Sequence, residues 1–384
     1  MKLAPFLLDH WLAAHEFADP PIRYNLASST GPQWTVGELL DLAGDVAREE
    51  LDALTLSYAP PQGRLALRER IAALHAVQAE DVVVMTGASE VLVALACHFA
   101  SDGRAKGGNL VVPQPCYPAV PALARAWGLG VRHYPLDISR GFAQTAAAVL
   151  AAVDANTRAV FVNSPHNPTG SVMPVTEQRQ LAVALATRGV PLIVDEVYHP
   201  LYFSDEVPTA STLGGFAAPS NTLVLGDFAK AMSIPGLRIG WIIDRDPPRR
   251  AALIEARSYF TISGSPLTEY LGTLALTHAP AVLAQLRAVA VANLALLVGF
   301  MARHEEVLEF SPPAGGTTCF PRLRGARDSR PLCEALAKAG VLVAPGDCFD
   351  APAHLRIGFG AQREGYAEAL AIFAEVLGTQ DWRA

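Results

Sequence analysis

The stretch Leu192-Ile193-Val194-Asp195-Glu196-Val197-Tyr198 decides the fold. Three aliphatic residues in an unbroken run predict a strand covered on both faces, because a half-exposed strand alternates apolar with polar. The run ends on an acid, which is costly there unless it meets a cation or hydrogen bonds. Similar runs recur at 82–85, 110–112, 159–162, 223–225 and 239–243, with helix-like stretches between them at 90–100, 119–127 and 177–187. The alternation predicts an α/β chain built on a doubly wound, mostly parallel sheet. After Arg303 the pattern shifts to strands at 317–323, 341–343 and 355–359 with helices at 331–339 and 364–377, a smaller α/β unit. We expect a segment 1–45 packed on that unit, a large domain 46–286 and a small domain 287–384.

Composition narrows the possibilities. The 384 residues are 51% hydrophobic and 17% charged, with a net charge of −7. A charge fraction below the roughly 25% of average domains excludes a disordered, charge-driven protein. The negative balance argues against a nucleic-acid surface, which needs clustered Lys and Arg. The first residues lack the long apolar core of a secretory signal. The apolar stretch between Arg287 and Arg303 falls short of the roughly 20 residues that span a bilayer and reads as a buried helix. Five cysteines without a CxxC pair suit free thiols in a reducing cytoplasm, and the histidines show no metal-ligand spacing.

In an open parallel sheet, ligands bind beyond the carboxyl ends of the strands. Thr86-Gly87-Ala88-Ser89-Glu90 follows the first strand as a small-residue turn opening a helix, which suits a phosphate. Tyr117, between Pro115 and Pro118, either stacks on a planar ligand or half-buries in a rigid turn. Asn163-Ser164-Pro165-His166-Asn167-Pro168-Thr169-Gly170 is an extended turn that offers Asn167 to the cleft, with His166 read as structural. Asp195 would find a partner in a cationic ligand atom. Only four of the 30 cationic residues are lysines: Lys2, Lys106, Lys230 and Lys338. Of these only Lys230 follows a core strand, where desolvation and Arg238 lower an amine pKa, as a Schiff-base nucleophile requires.

The series Asn167-Pro168-Thr169-Gly170, Asp195-Glu196-Val197-Tyr198 and Lys230 with Pro235-Gly236-Leu237-Arg238-Ile239-Gly240 resembles the class I/II aminotransferases of the aspartate aminotransferase fold. The likeness runs from about Asn25 to Phe359. It implies the fold type I of pyridoxal 5′-phosphate (PLP) enzymes, with a seven-stranded sheet. It further implies Lys230 as the Schiff-base lysine and proton shuttle, and Asp195 as the acid facing the ring nitrogen. Asn167 and Tyr198 would bond the ring hydroxyl, Tyr117 would stack on the ring, and Ala88, Ser89 and Arg238 would hold the phosphate. Arg356 would clamp the substrate carboxylate, with Asn167, Ser29 and Asp227 also at the substrate. Tyr58 would reach the phosphate of a partner subunit, which implies a homodimer with shared active sites and amino-acid and 2-oxo-acid substrates.

Where the family places Ser or Thr, three residues before the lysine, this chain has Asp227. A carboxylate about 5 Å from a phosphate charge costs about 3 kcal/mol per charge pair at an effective dielectric near 20. Asp227 therefore turns away, pairs with a cation, stays protonated, or recognises a cationic substrate such as a guanidino amino acid. Trp11-Leu12, 24–29, 35–39 and Gly315-Gly316-Thr317 resemble a subgroup that includes capreomycidine synthase. The first expectation is an aminotransferase acting on an L-amino acid. The alternative is a cyclase, lyase or oxidase acting on an arginine-like amino acid, and a regulatory or binding protein on this fold is a third reading. The intact Lys230, Asp195 and Arg238 speak against the last.

Overall fold

The computed structural model describes residues 3–101, 107–203 and 211–379, so Lys2 and Lys106 lie outside the described residues. Seven strands form the main sheet in the order Val82–Met85, Gly240–Ile243, Thr222–Asp227, Leu192–Asp195, Thr157–Asn163, Asn109–Gln114, Gly130–Pro135. All pairs are parallel except those made by Gly240–Ile243, which is antiparallel to both neighbours. The unbroken apolar runs follow from burial on both faces. Val82 and Val84 enter one core while Val83 and Met85 enter the other.

The residue pattern identifies six of the seven strands. The missed one, Gly130–Pro135, reads Gly-Val-Arg-His-Tyr-Pro and lies at the sheet edge, with only Tyr134 buried. An edge strand tolerates Arg132, His133 and Pro135, so it carries no continuous apolar run. Two parallel strands and the reversed Gly240–Ile243 bring Asp195, Asp227 and the Arg238–Gly240 approach to one edge.

The expected strand 317–323 is two short strands. Thr318–Cys319 pairs with Gly358 and Ile357, whereas Arg322–Leu323 pairs with Glu309 and Leu308. Pro321 between them has no N–H to give a ladder. Tyr24–Asn25, in a region without a strand pattern, adds in parallel to Val341–Leu342, and Trp11 Nε1 donates to Val343 O at 2.8 Å. The apolar helix is longer than its charge-free core, running Ala279–Arg303 through Arg287, whose guanidinium donates to Tyr202 O. Its 25 residues are long and apolar enough to cross a membrane by length and composition alone. It is not buried all round: a stripe of Val282, Leu286, Ala290, Asn293, Leu297 and Phe300 enters the core, while Val291, Leu296 and Val298 face outward. Asn293 donates to the carbonyls of Phe359 and Gln362, which ties the stripe to the small unit.

Gly170 joins the two units. Its carbonyl accepts from the N–H groups of Ala314 and Gly315, its φ is 71°, and a Cβ there would fall 2.3 Å from Pro313 Cβ and 2.6 Å from Thr318 O. Gly170→Ala therefore combines left-handed strain with overpacking, and we expect a loss of about 2–4 kcal/mol. Gly299→Ala, in the long helix with only the tip of Arg303 near its Cβ, should instead gain up to about 1 kcal/mol. Denaturant unfolding of the two variants checks this contrast.

Candidate active site

The first component is an anion cradle. Helix Gly87–Ser101 starts directly beyond strand Val82–Met85 and turns its free N–H groups to the sheet edge. Gly87 has φ 75°, and a Cβ on it would lie 2.6 Å from Arg238 Nη2. A Cβ on Gly240 would lie 2.4 Å from Ala88 N. The two glycines thus let a helix N-terminus and a guanidinium close on one spot. Ala88 is half-buried there and Ser89 exposed. Arg238 itself sits at φ 51°, with Nη1 donating to Pro235 O.

The second component is a pair of buried acids on adjacent strand ends. Asp195 is 6% exposed, and among the described residues its carboxylate accepts the Val197 N–H alone, at 3.1 Å. Burial pushes its carboxyl up to about 7, with the Asp227 and Glu196 charges adding to the rise and Lys230 opposing it. Asp227 accepts the Ala229 N–H at 3.0 Å and stands in register beside Gly240, at the cradle. Burial raises its carboxyl as well.

Lys230 and Arg356 complete the site. Lys230 Nζ donates to Ser29 Oγ at 2.8 Å, and burial lowers its pKa, against which the Asp227 and Asp195 carboxylates work. Arg356, 1% exposed, donates through Nη1 to Asn167 Oδ1 at 3.1 Å and through Nη2 to Ala27 O at 2.8 Å. Its Nε has no partner among the described residues. Tyr198 donates its hydroxyl to Ser29 O at 3.2 Å. Tyr117 is half-buried and meets Phe6, with ring centroids 5.9 Å apart. Tyr58 stands apart at 82% exposure. His166 is buried, with Nδ1 bonded to Thr169 Oγ1.

Residue patterns give no sign of what supports Asp195. Asn163 donates to Asp195 O and accepts the Asn167 N–H, fixing both expected site residues from one strand end. Glu196 is a hub: it accepts from Ser211 Oγ, Thr212 N and Thr212 Oγ1, with His75 at 3.5 Å. Burial works to raise its carboxyl, but the His75 hydrogen bond and the neighbouring His199 hold it at about 2. The only sequence signal for this hub was its place beside Asp195. Ala27, whose carbonyl holds Arg356, has no side-chain signal at all.

These residues fit PLP. The cradle suits a phosphate, Lys230 a carbonyl carbon and Asp195 a protonated ring nitrogen, and the unpartnered Arg356 Nε suits a carboxylate. Gly87→Ala would displace the Arg238 guanidinium and strain a turn at φ 75°, so PLP affinity should fall at least tenfold, read from cofactor absorbance, and the cofactor-free chain should lose about 1–3 kcal/mol, read from thermal unfolding.

Comparison with known proteins agrees with this geometry. The family profile "Aminotransferase class I and II" matches residues 33–373. Capreomycidine synthase of Streptomyces vinaceus is 33% identical over 375 residues, covering 97% of this chain and 93% of that one. The arginine–pyruvate transaminase of Pseudomonas aeruginosa is 30% identical over 364 residues, 88% of each chain. The crystal structure of the PLP-dependent cyclase OrfR superposes with a TM-score of 0.86 at 28% identity, over 99% of this chain and 98% of that one. This chain belongs to the class I and II aminotransferase family, and its cofactor is pyridoxal 5′-phosphate.

Proposed function

We propose that this chain is an aminotransferase for a basic, arginine-like L-amino acid, with a 2-oxo acid as amino acceptor. The observation that carries the reading is the convergence of Lys230, Asp195 and Arg356 at one cleft, with Ser29 holding Lys230, Asn167 holding Arg356, and Asn163 tying Asn167 to the backbone of Asp195. When bound, PLP supplies the electron sink for the pair left behind at Cα. Arg356 holds the substrate carboxylate with its free N–H, while Asn167 and Ala27 fix the plane of the guanidinium. Lys230, whose unprotonated amine is favoured by burial, takes the Cα proton and returns it, and the Ser29 hydroxyl aims Nζ. Asp195 pairs with a ring N–H and gives up the rise that burial imposes on it. Phe349 stacks on the Arg356 guanidinium, 5.1 Å from its centroid, and lines a cavity of about 350 Å³. Asp347 in that cavity is paired with Arg330, and Asp350, which joins no ion pair among the described residues, lines it together with Arg125.

A second reading is intramolecular replacement, in which a guanidino nitrogen of the substrate closes on its own carbon skeleton. The near full-length similarity to capreomycidine synthase and to OrfR favours it. Both outcomes begin with the same Cα proton. The exposed Tyr58 supports a homodimer in which it reaches the partner subunit's phosphate, and we place the enzyme in the cytoplasm.

Mixing the PLP-loaded protein with a panel of amino acids decides between the two. The proposal expects arginine-like amino acids, and not neutral ones, to convert the cofactor to its amine form, with a 2-oxo acid restoring it. Turnover with PLP unchanged would establish the second reading instead. Arg356→Lys should lower kcat/KM about 10–100-fold, chiefly through KM, because one charge-assisted hydrogen bond is lost.

A further inference from the structure

Asp227 occupies an unexpected place for a carboxyl group. It ends strand Thr222–Asp227 in register with Gly240, which pairs on its other side with Met85. The N-terminal backbone of helix Gly87–Ser101 rests on Gly240, and Arg238 reaches over Gly87 from the same turn. Asp227 is therefore one strand spacing from the anion cradle, on the row that forms its floor. It is 8% exposed, and the Asx turn to Ala229 N–H fixes its side chain so that it cannot swing to solvent without breaking that bond. Among the described residues it joins no ion pair. The charged or titratable groups around it are Lys230 on its own turn, Arg238 from the antiparallel strand's approach, Asp195 from the neighbouring strand end, and Tyr117 from the turn after Asn109–Gln114. Glu90, on the helix over the row, is already engaged with Thr86 N–H, Thr261 and Arg257.

We infer that Asp227 is a phosphate-binding residue that works as a neutral carboxylic acid, donating a hydrogen bond to the cofactor phosphate, so that cofactor binding takes up a proton. An ionised Asp227 beside a phosphate dianion would repel it, whereas a carboxylic O–H replaces the hydroxyl that a Ser or Thr would offer at the same position. Burial already favours the neutral form, with the Lys230 and Arg238 charges working against it. The sign follows: as pH rises through the Asp227 pKa of the cofactor-free chain, the proton must be taken from solvent and affinity falls, at most tenfold per pH unit. This assigns Asp227 to cofactor retention rather than to the substrate.

The probe is pyridoxine 5′-phosphate, which keeps ring and phosphate but has no aldehyde for Lys230 to capture. Calorimetric titration of the full chain between pH 6.5 and 9, in buffers of different ionisation enthalpy, gives Kd and proton uptake together. Titration of the ligand is common to all variants and cancels in the comparison, whereas Asp195 and Lys230 feel the Asp227 charge, so the same comparison is made in D195N and K230M backgrounds to separate their protons from that of Asp227. The parent protein should take up more protons than D227N and D227S, by up to one, and its Kd should weaken more steeply with pH. At pH 8.5 D227S should bind more tightly than the parent. D227N keeps the acceptor of the Asx turn, so it carries the test if D227S fails to fold. Equal pH slopes and equal proton uptake in the parent and D227N would overturn the inference. Weaker binding by both variants at pH 8.5 would do so as well, since it would mean that an ionised Asp227 assists binding.

Discussion

Keeping the Arg356 guanidinium out of water is the constraint on which the rest of the site depends. A buried cation is costly unless its donors are met, and removing one partner leaves the penalty standing. Here two donors are met from distant parts of the chain, and a nearby ring packs over the guanidinium. Ala27 O comes from the N-terminal segment, Asn167 Oδ1 from the turn after strand Thr157–Asn163, and the stacking ring of Phe349 from the small unit. The same contacts that make burial tolerable therefore hold the large sheet, the small unit and the N-terminal segment in one arrangement. Two of its five N–H donors are met by these bonds and Nε has no partner among the described residues, so an anion arriving there relieves a cost already built into the fold.

The neighbouring acids show how one strand end supplies two opposite environments. Glu196 is surrounded by hydroxyl, amide and imidazole donors and is held ionised at about 2. Asp195, one residue earlier, has a single backbone N–H and is driven to about 7. Successive residues leaving a strand face opposite sides, so one carboxyl anchors the 211–212 segment behind the sheet while the other faces the cleft with its demand for a cation unmet. The fully satisfied acid is structural and the under-satisfied one is chemical, a division that hydrogen-bond accounting makes visible.

Much of this was legible in the sequence because the main sheet is covered on both sides. Double coverage produces continuous aliphatic runs, and their ends point to Asp195, Asn167 and Lys230 without knowledge of the fold. The scarcity of lysine left Lys230 as the one amine at a strand end. Legibility failed where burial no longer dictates side-chain type. Gly130–Pro135 lies at an edge and is half in solvent, and Tyr24–Asn25 is too short to show a period. Ala27 meets Arg356 across 329 residues through a carbonyl that any amino acid would present, whereas Ser29, expected at the substrate, meets Lys230 through its hydroxyl. Long-range backbone contacts leave no trace in residue identity.

That sequence separation has a consequence for how the protein comes to exist. Trp11 waits for Val343, and Ala27 for Arg356, across 332 and 329 residues respectively. At synthesis rates of about 5–20 residues per second, the N-terminal segment emerges on the order of tens of seconds before its partners. During that interval Leu8 and Trp11, both buried in the finished molecule, have nothing to pack against. One face of the central sheet shares a core with both ends of the chain, so that face is covered only when they meet. The arginine pocket closes late as well, because Ala27 has no Arg356 to hold until the small unit has emerged.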